Sequence, residues 1–419
     1  MKTPQKQFSP FGRSTLTSRL SILYFFEYGA LGIVVPIFSL YLRNELGFSG
    51  SQTGTILSMA AASAFISPVV WAVVVDRLVS AERLLAFSHA VGAVLIFGIS
   101  LVQSFPLVLI GYLLYMICIG PTIPLANAVV FGHIEEQGHG DYGRIRLVGT
   151  IGWISVGWFF SFVWLHFFPG GFVDALRISA AVSVCMFLWT IRLPRRRKIH
   201  PVDSLKQIFP RDAVRVVLRP QVLTVAIAMF LMAVMDRYYM YGGSPLLNSL
   251  GVESSYIMPI MTLGQLPELF ALFFIVRLLR RFGYRRVLLF GLSMQFFRFG
   301  AFLVSGFVPL PFVAIGFAVH GFTYAYGIAL CQMYADINSE PHTRGSVHQI
   351  LELFSFGFGN IVGNISAGFL AERGEVYGAT GFELFYAAAL AIALIAILWI
   401  WARMPNASPG PNTQTSGLE

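Results

Sequence analysis

Apolar residues run along this chain in long unbroken blocks, not in the narrow stripe of a helix that lies on a soluble core. Blocks near the length that crosses a bilayer's hydrocarbon, about 20 residues, fall at 18–42, 52–75, 84–104, 107–132, 145–166, 173–192, 220–246, 255–277, 287–307, 310–335, 346–371 and 380–402. The polar interruptions are short except for 193–219, beside the run RLPRRRKIH. The pattern predicts an all-α membrane protein with twelve transmembrane helices in two six-helix halves, 1–192 and 220–403. A basic central loop, 193–219, joins them, and a disordered polar tail, 404–419, follows.

Charge orients these spans. Cytoplasmic loops of membrane proteins carry the excess of Lys and Arg. Placing both termini in the cytoplasm puts almost every basic residue on that side and leaves only Arg43, Arg177 and Arg373 on the other. The formal charge of +9 therefore reads as membrane orientation, not as a nucleic-acid surface. With 56% hydrophobic and 12% charged residues, against about 25% charged in soluble domains, a soluble fold is excluded. The first apolar run is too long for a signal peptide and is expected to remain as a helix. Cys118, Cys185 and Cys331 lie inside apolar runs and imply neither disulfides nor a metal site.

Ionisable side chains at bilayer depth cost roughly 2.5–3.5 kcal/mol on insertion scales and usually face a cavity or a partner. Span 1 holds Glu27, in YFFEYGALG, and span 4 holds Asn127. Span 7 carries Asp236 and Arg237, with Tyr239 close by; span 8 carries Gln265 and Glu268, three apart and so on one helix face. Arg298 is in span 9, His320 and Tyr324 lie one turn apart in span 10, and span 11 opens with His348, Gln349 and Glu352. Singly, Glu27, Asp236–Arg237 and Arg298 are equally explained as pairs that hold helices together, and His320 as a satisfied core histidine. Polar groups on so many helices point instead to a shared cavity.

The stretch RIRLVGTIGWISVGWFFSF sets two arginines at the mouth of span 5. Arg144 suits a headgroup anchor. Arg146 sits deeper, and 146, 150 and 153 advance by four and then three, which places Arg146, Thr150 and Trp153 on one face. A guanidinium fork can bind hydroxyls or a carbonyl, and an indole offers a flat ring for stacking. The loop HIEEQGHGDYGR, with His133, Glu135, Glu136, His139 and Asp141, has no metal-ligand spacing. No nucleotide-binding loop, dinucleotide fingerprint or hydrolase motif occurs in a suitable context. Neither enzymatic activity, cofactor nor metal is expected, and uphill transport would draw on an ion gradient.

The segments SPVVWAVVVDRLVSAERLL, PTIPLANAVVF, RIRLVGTIGWI, MTLGQLPELF with RRFGYRRVLLFG, and HGFTYAYG with RGSVHQ resemble the nucleoside:proton symporter family of the major facilitator superfamily. The resemblance covers nearly the whole chain, and the RIRxxGTIGW and TLGQxxE segments are specific to it. It implies a bacterial inner-membrane nucleoside permease in which Arg146, Thr150, Trp153, Gln265, Glu268, His320 and Tyr324 line the substrate site. It implies also that Glu268 is a candidate for proton coupling. This chain departs from the family at Asp236 and Tyr239, where polar amides are usual, and at Ala325, where an aspartate is frequent. Asp236 and Glu27 are thus further coupling candidates, and Asp236 and Tyr239 join the expected substrate contacts.

The expected function is proton-coupled nucleoside import by alternating access, in a monomer whose partners are the nucleoside, protons and the lipid bilayer. A permease for a sugar or aromatic acid fits the same DYGRIR segment, and a non-transporting sensor fits the same fold. A membrane-bound transferase would need a His–Asp or paired-carboxylate site at one membrane face, whereas the polar groups here concentrate at mid-span. Pro267, inside the span 8 motif, is expected to bend or loosen that helix.

Overall fold

In the computed structural model, residues 13–61, 64–66, 80–137, 142–168, 171–194, 211–374 and 380–405 are described. Asp76, Arg77, His139, Asp141, most of the central loop and the tail beyond 405 lie outside them. Every regular element among the described residues is a helix. Nine of these helices are long and apolar enough to cross a membrane. Large apolar side chains such as Phe273 (80% exposed) and Phe307 (82% exposed) point outward, the arrangement that a lipid environment stabilises and water does not.

Local chemistry sets the helix ends. Ser49 caps the helix Gly50–Ser58, and Gln52 closes the capping box. Prolines begin the helices Phe105–Ile119, Pro220–Ser249 and Leu310–Ala318, in the first turn, where a missing N–H costs nothing. Pro267 behaves the same way. The helical hydrogen-bond ladder is interrupted between Ser254–Met261 and the restart at Gln265, so Pro267 lies in a first turn and span 8 is loosened just before it, in line with the expectation.

The helix Gln265–Leu303 contains Gly283 at φ 76°, a left-handed conformation that glycine adopts without strain. Glu268 and Arg298 are thirty residues apart, which a straight helix would separate by about 45 Å. Both nevertheless meet span 10. A Cβ on Gly321 would stand 2.1 Å from the Glu268 backbone nitrogen, and Arg298 Nη2 is 3.0 Å from His320 Nδ1. The chain therefore doubles back at Gly283, and the two legs are spans 8 and 9.

Span 1 and span 5 touch backbone to backbone. The helix Arg13–Gly32 carries Gly29 and Gly32, and the helix Tyr142–Trp158 carries Gly149 and Gly152. A Cβ on Gly152 would stand 2.2 Å from the Phe25 carbonyl oxygen, and one on Gly32 would stand 2.7 Å from Trp153 Cα. Small residues are what allow such an approach between membrane helices.

Hydrogen bonds between the two halves gather at one end. Arg43 Nη1 donates to Tyr241 OH at 3.1 Å, and Tyr241 OH donates to the Gly50 carbonyl at 3.0 Å. Glu372 accepts from the Ser51 N–H at 2.8 Å, Asn364 donates to the Leu57 carbonyl at 3.2 Å, and Trp158 donates to Thr262 at 2.9 Å. Gly54 and Gly368 also meet there, since a Cβ on Gly54 would lie 3.0 Å from Gly368 Cα. A cavity of about 540 Å³ lined by Ser161, Phe162, His166, Glu253, Ser254 and Tyr256 opens beside this seam.

Candidate substrate site

The site lies away from that cavity, below the seam. Arg146 is twelve residues before Trp158, a seam residue, so it stands about 18 Å along the helix from the joined end. Its Nη1 donates to Thr150 Oγ1 at 3.4 Å, as expected for residues four apart on one helix face. Its guanidinium carbon sits 4.2 Å from the centre of the Tyr28 ring. A cation over an aromatic face at that distance gains roughly 0.5–2 kcal/mol. Tyr24 stacks on Tyr28 at 5.8 Å, and its hydroxyl bonds Asn127, which Tyr142 also reaches at 3.4 Å. Asn127 thus braces this wall and does not face substrate.

The facing wall comes from the second half. Arg146 is the charge that faces Glu268, and Tyr324 lies within electrostatic reach of Arg146, Glu268 and Asp236. Tyr324 opens a π-helical segment, Tyr324–Ala329, and is 37% exposed. Such local widening of a helix is frequent at functional sites because it redirects a side chain. Span 8 is pressed against span 10 so closely that a Cβ on Gly264 would stand 2.5 Å from His320 Cβ, which fixes where Gln265 and Glu268 begin.

Asp236, Tyr239, Arg298 and His320 form a linked cluster. Asp236 pairs with its neighbour Arg237. Tyr239 is buried; its ring stacks on His320 at 4.8 Å with 13° between planes, and its hydroxyl donates to the Met261 carbonyl at 3.0 Å. Arg298 is fully buried, 4.5 Å from the Tyr239 ring centre, and bonds Thr323 at 2.5 Å as well as His320. Tyr239 therefore holds His320 in place from behind. His348 bonds Asp336 at 3.2 Å at the start of span 11, apart from the cluster.

Several buried polar atoms have no hydrogen-bond partner among the described residues: Gln265 Oε1, Trp153 Nε1, Arg237 Nε, and Nε and Nη1 of Arg298. Buried polar atoms are nearly always satisfied, so each of these calls for water or a ligand. Two partners of the predicted residues escaped the sequence reading. Tyr28 lies in the quoted YFFEYGALG, where its only signal was a ring one helical turn after Tyr24. His89, the partner of Glu27, sits in span 3, which carried no mark of a site.

The described residues thus form an all-helical, multi-pass membrane protein with a polar site between two helical halves, the architecture of many membrane transporters. Residues 14–406 match the family model described as nucleoside H+ symporter, and the chain belongs to that family. It is 28% identical over 410 residues to the putative nucleoside transporter YegT of Escherichia coli (strain K12), covering 92% of this chain and 93% of that one. To the nucleoside permease NupG of the same organism it is 26% identical over 410 residues, covering 91% and 96%. A crystal structure of a variant of nucleoside transporter NupG shares the fold with a TM-score of 0.85 at 22% identity, covering 93% of this chain and all of that one.

Proposed function

We propose that this chain imports nucleosides together with protons across a bacterial inner membrane by alternating access, with twelve spans and both termini in the cytoplasm. The carrying observation is the convergence of Arg146, Thr150 and Tyr28 from one half on Glu268 and Tyr324 from the other, beside unpartnered polar atoms of Gln265 and Trp153. A nucleoside supplies what these groups lack: ribose hydroxyls and base carbonyls for Arg146, a base edge for Gln265, and a flat face for the rings. With the termini inside, the hydrogen-bonded seam is the outer end, so the described residues hold the site closed toward the outside. Glu268 and Asp236 are the proton acceptors beside the substrate.

The test is competition for labelled uridine uptake in proteoliposomes by nucleosides, disaccharides and aromatic acids. Displacement by nucleosides alone supports the reading. Absence of uridine uptake, or its displacement by a sugar or an aromatic acid as readily as by nucleosides, overturns it.

A further inference from the structure

The first half buries two Glu–His pairs. In one, Glu82 occupies the first turn of the helix Ala81–Ile99, where the helix dipole favours a carboxylate, and His133 lies 3.7 Å away. The other pair has no such reason to exist. Glu27 and His89 are both fully buried, with Glu27 Oε2 2.8 Å from His89 Nε2, and the Thr122 hydroxyl is 2.6 Å from Glu27 Oε1. Three helices meet at this carboxylate. The second ring nitrogen, His89 Nδ1, has no hydrogen-bond partner among the described residues.

Replacing a buried ionic pair by packed apolar groups is often neutral or stabilising. The pair therefore needs an explanation other than holding the bundle together. A carboxylate bonded to an imidazole carries net charge −1 when the ring holds one proton. It becomes neutral on gaining a second, whichever partner keeps it. The groups facing the pair are Tyr28 on the same helix and Tyr115 from span 4, both within electrostatic reach of Glu27. Span 5 contributes Arg146, reached through Tyr28; span 6 contributes Ser179, whose hydroxyl donates to the Ala30 carbonyl; Glu82 lies two turns away along span 3.

Proton occupancy here is connected to the substrate site by geometry. Glu27 is adjacent to Tyr28, whose ring lies beneath Arg146. The same stretch of span 1 is locked against Gly149 and Gly152, which flank Thr150. A change of one unit of charge at Glu27 acts on the substrate arginine both through space and through the packed backbone.

We propose that Glu27 and His89 form a proton-binding site that carries one proton per transport cycle, in the half opposite to Glu268. The site rests on the symport reading above and adds a second carrier to it.

The test uses the full-length protein in proteoliposomes, comparing Glu27→Gln, His89→Gln and Glu82→Gln. Three quantities are read: uridine counterflow, accumulation driven by a pH gradient, and the coupled proton number from the reversal potential. Glu27→Gln and His89→Gln are expected to keep counterflow within about twofold and to lose one coupled proton per nucleoside; Glu82→Gln keeps the wild-type number. If Glu27→Gln fails to fold, His89→Gln carries the test, because its amide can still donate to Glu27. An unchanged coupled proton number in His89→Gln overturns the proposal, and so does loss of its counterflow together with accumulation, which makes the pair structural. Failure of the symport reading looks different: the wild-type protein itself would show no accumulation of nucleoside under a pH gradient.

Discussion

Gly152→Ala puts one methyl group where spans 1 and 5 touch. The added Cβ would stand 2.2 Å from the Phe25 carbonyl oxygen and 2.8 Å from Phe25 Cα, whereas ordinary contact begins at 3.4 Å. The helices must separate by about 1.2 Å, and the obstacle is backbone, which has no rotamer to change. Forcing a methyl into such packing costs about 1–3 kcal/mol, with backbone against backbone at the upper end. Separation also moves Tyr28 away from Arg146 and tilts the Arg146–Thr150–Trp153 face. If about 1.4 kcal/mol of this falls on the binding-competent arrangement, nucleoside affinity drops about tenfold. Calorimetric titration of uridine into the purified variant, with a melting curve on the same sample, reads both effects. Gly98→Ala is the matched control. A Cβ there meets nothing within 4 Å, so it should stabilise the helix by about 0.5–1 kcal/mol. Wild-type melting and affinity in Gly152→Ala would refute the claim that this contact positions the site.

Arg146→Ala should abolish measurable nucleoside binding while the protein still inserts and folds, whereas Arg144→Ala should change affinity by no more than about threefold (within ~0.7 kcal/mol); equal effects would return Arg146 to a headgroup anchor. Glu268→Gln keeps the shape and hydrogen bonding of the side chain and removes its titrating proton, so counterflow should persist while the coupled proton number falls; Asp236→Asn is measured alongside, and an unchanged number in both excludes them as carriers. Gly54→Val wedges the seam, because a Cβ there already stands 2.3 Å from the Asn364 carbonyl oxygen in the other half. It should drive the population toward the outward-open state, seen as labelling of a cysteine placed at Ser39 from the outer side, and unchanged labelling would show that the seam does not hold this state.

The Arg146 face was legible because helical periodicity is local: three residues within eight positions define it. Gln265 with Glu268, and His320 with Tyr324, were legible for the same reason. Pairings between helices were not. Glu27 and His89 are 62 positions apart, and no spacing rule connects side chains that meet only after two helices have packed. Gly149 and Gly152 stood inside the quoted GTIGW segment, but a glycine in a sequence does not say what approaches it. Pro267 was expected to bend or loosen its helix, and the ladder of span 8 is interrupted just before it. Span 4, read as one block, is divided into Phe105–Ile119 and Thr122–Gln137 around Pro121, whose ring cannot continue the ladder.

In the seam bonds described above, Tyr241 and Asn364 donate to carbonyls, Trp158 to a hydroxyl and Arg43 to a phenol, while Glu372 accepts from a backbone N–H; Arg43 and Glu372, within electrostatic reach of each other, stand at the seam's rim and are not buried in it. Each such bond is exchanged for one to water when the end opens, and its net worth is only about 0.5–1.5 kcal/mol. A latch of this kind holds a shape without trapping it. Had charge pairs been buried there instead, separation would strand ions in a poorly hydrated gap, and the waiting time between openings would lengthen steeply. Moving a two-state population from 1:99 to 99:1 requires about 5.5 kcal/mol of differential binding, a large demand on one small uncharged solute. A weakly bonded seam lowers that demand by keeping both orientations close in free energy. Turnover can then be paced by the arrival of substrate and protons, not by the breaking of the gate.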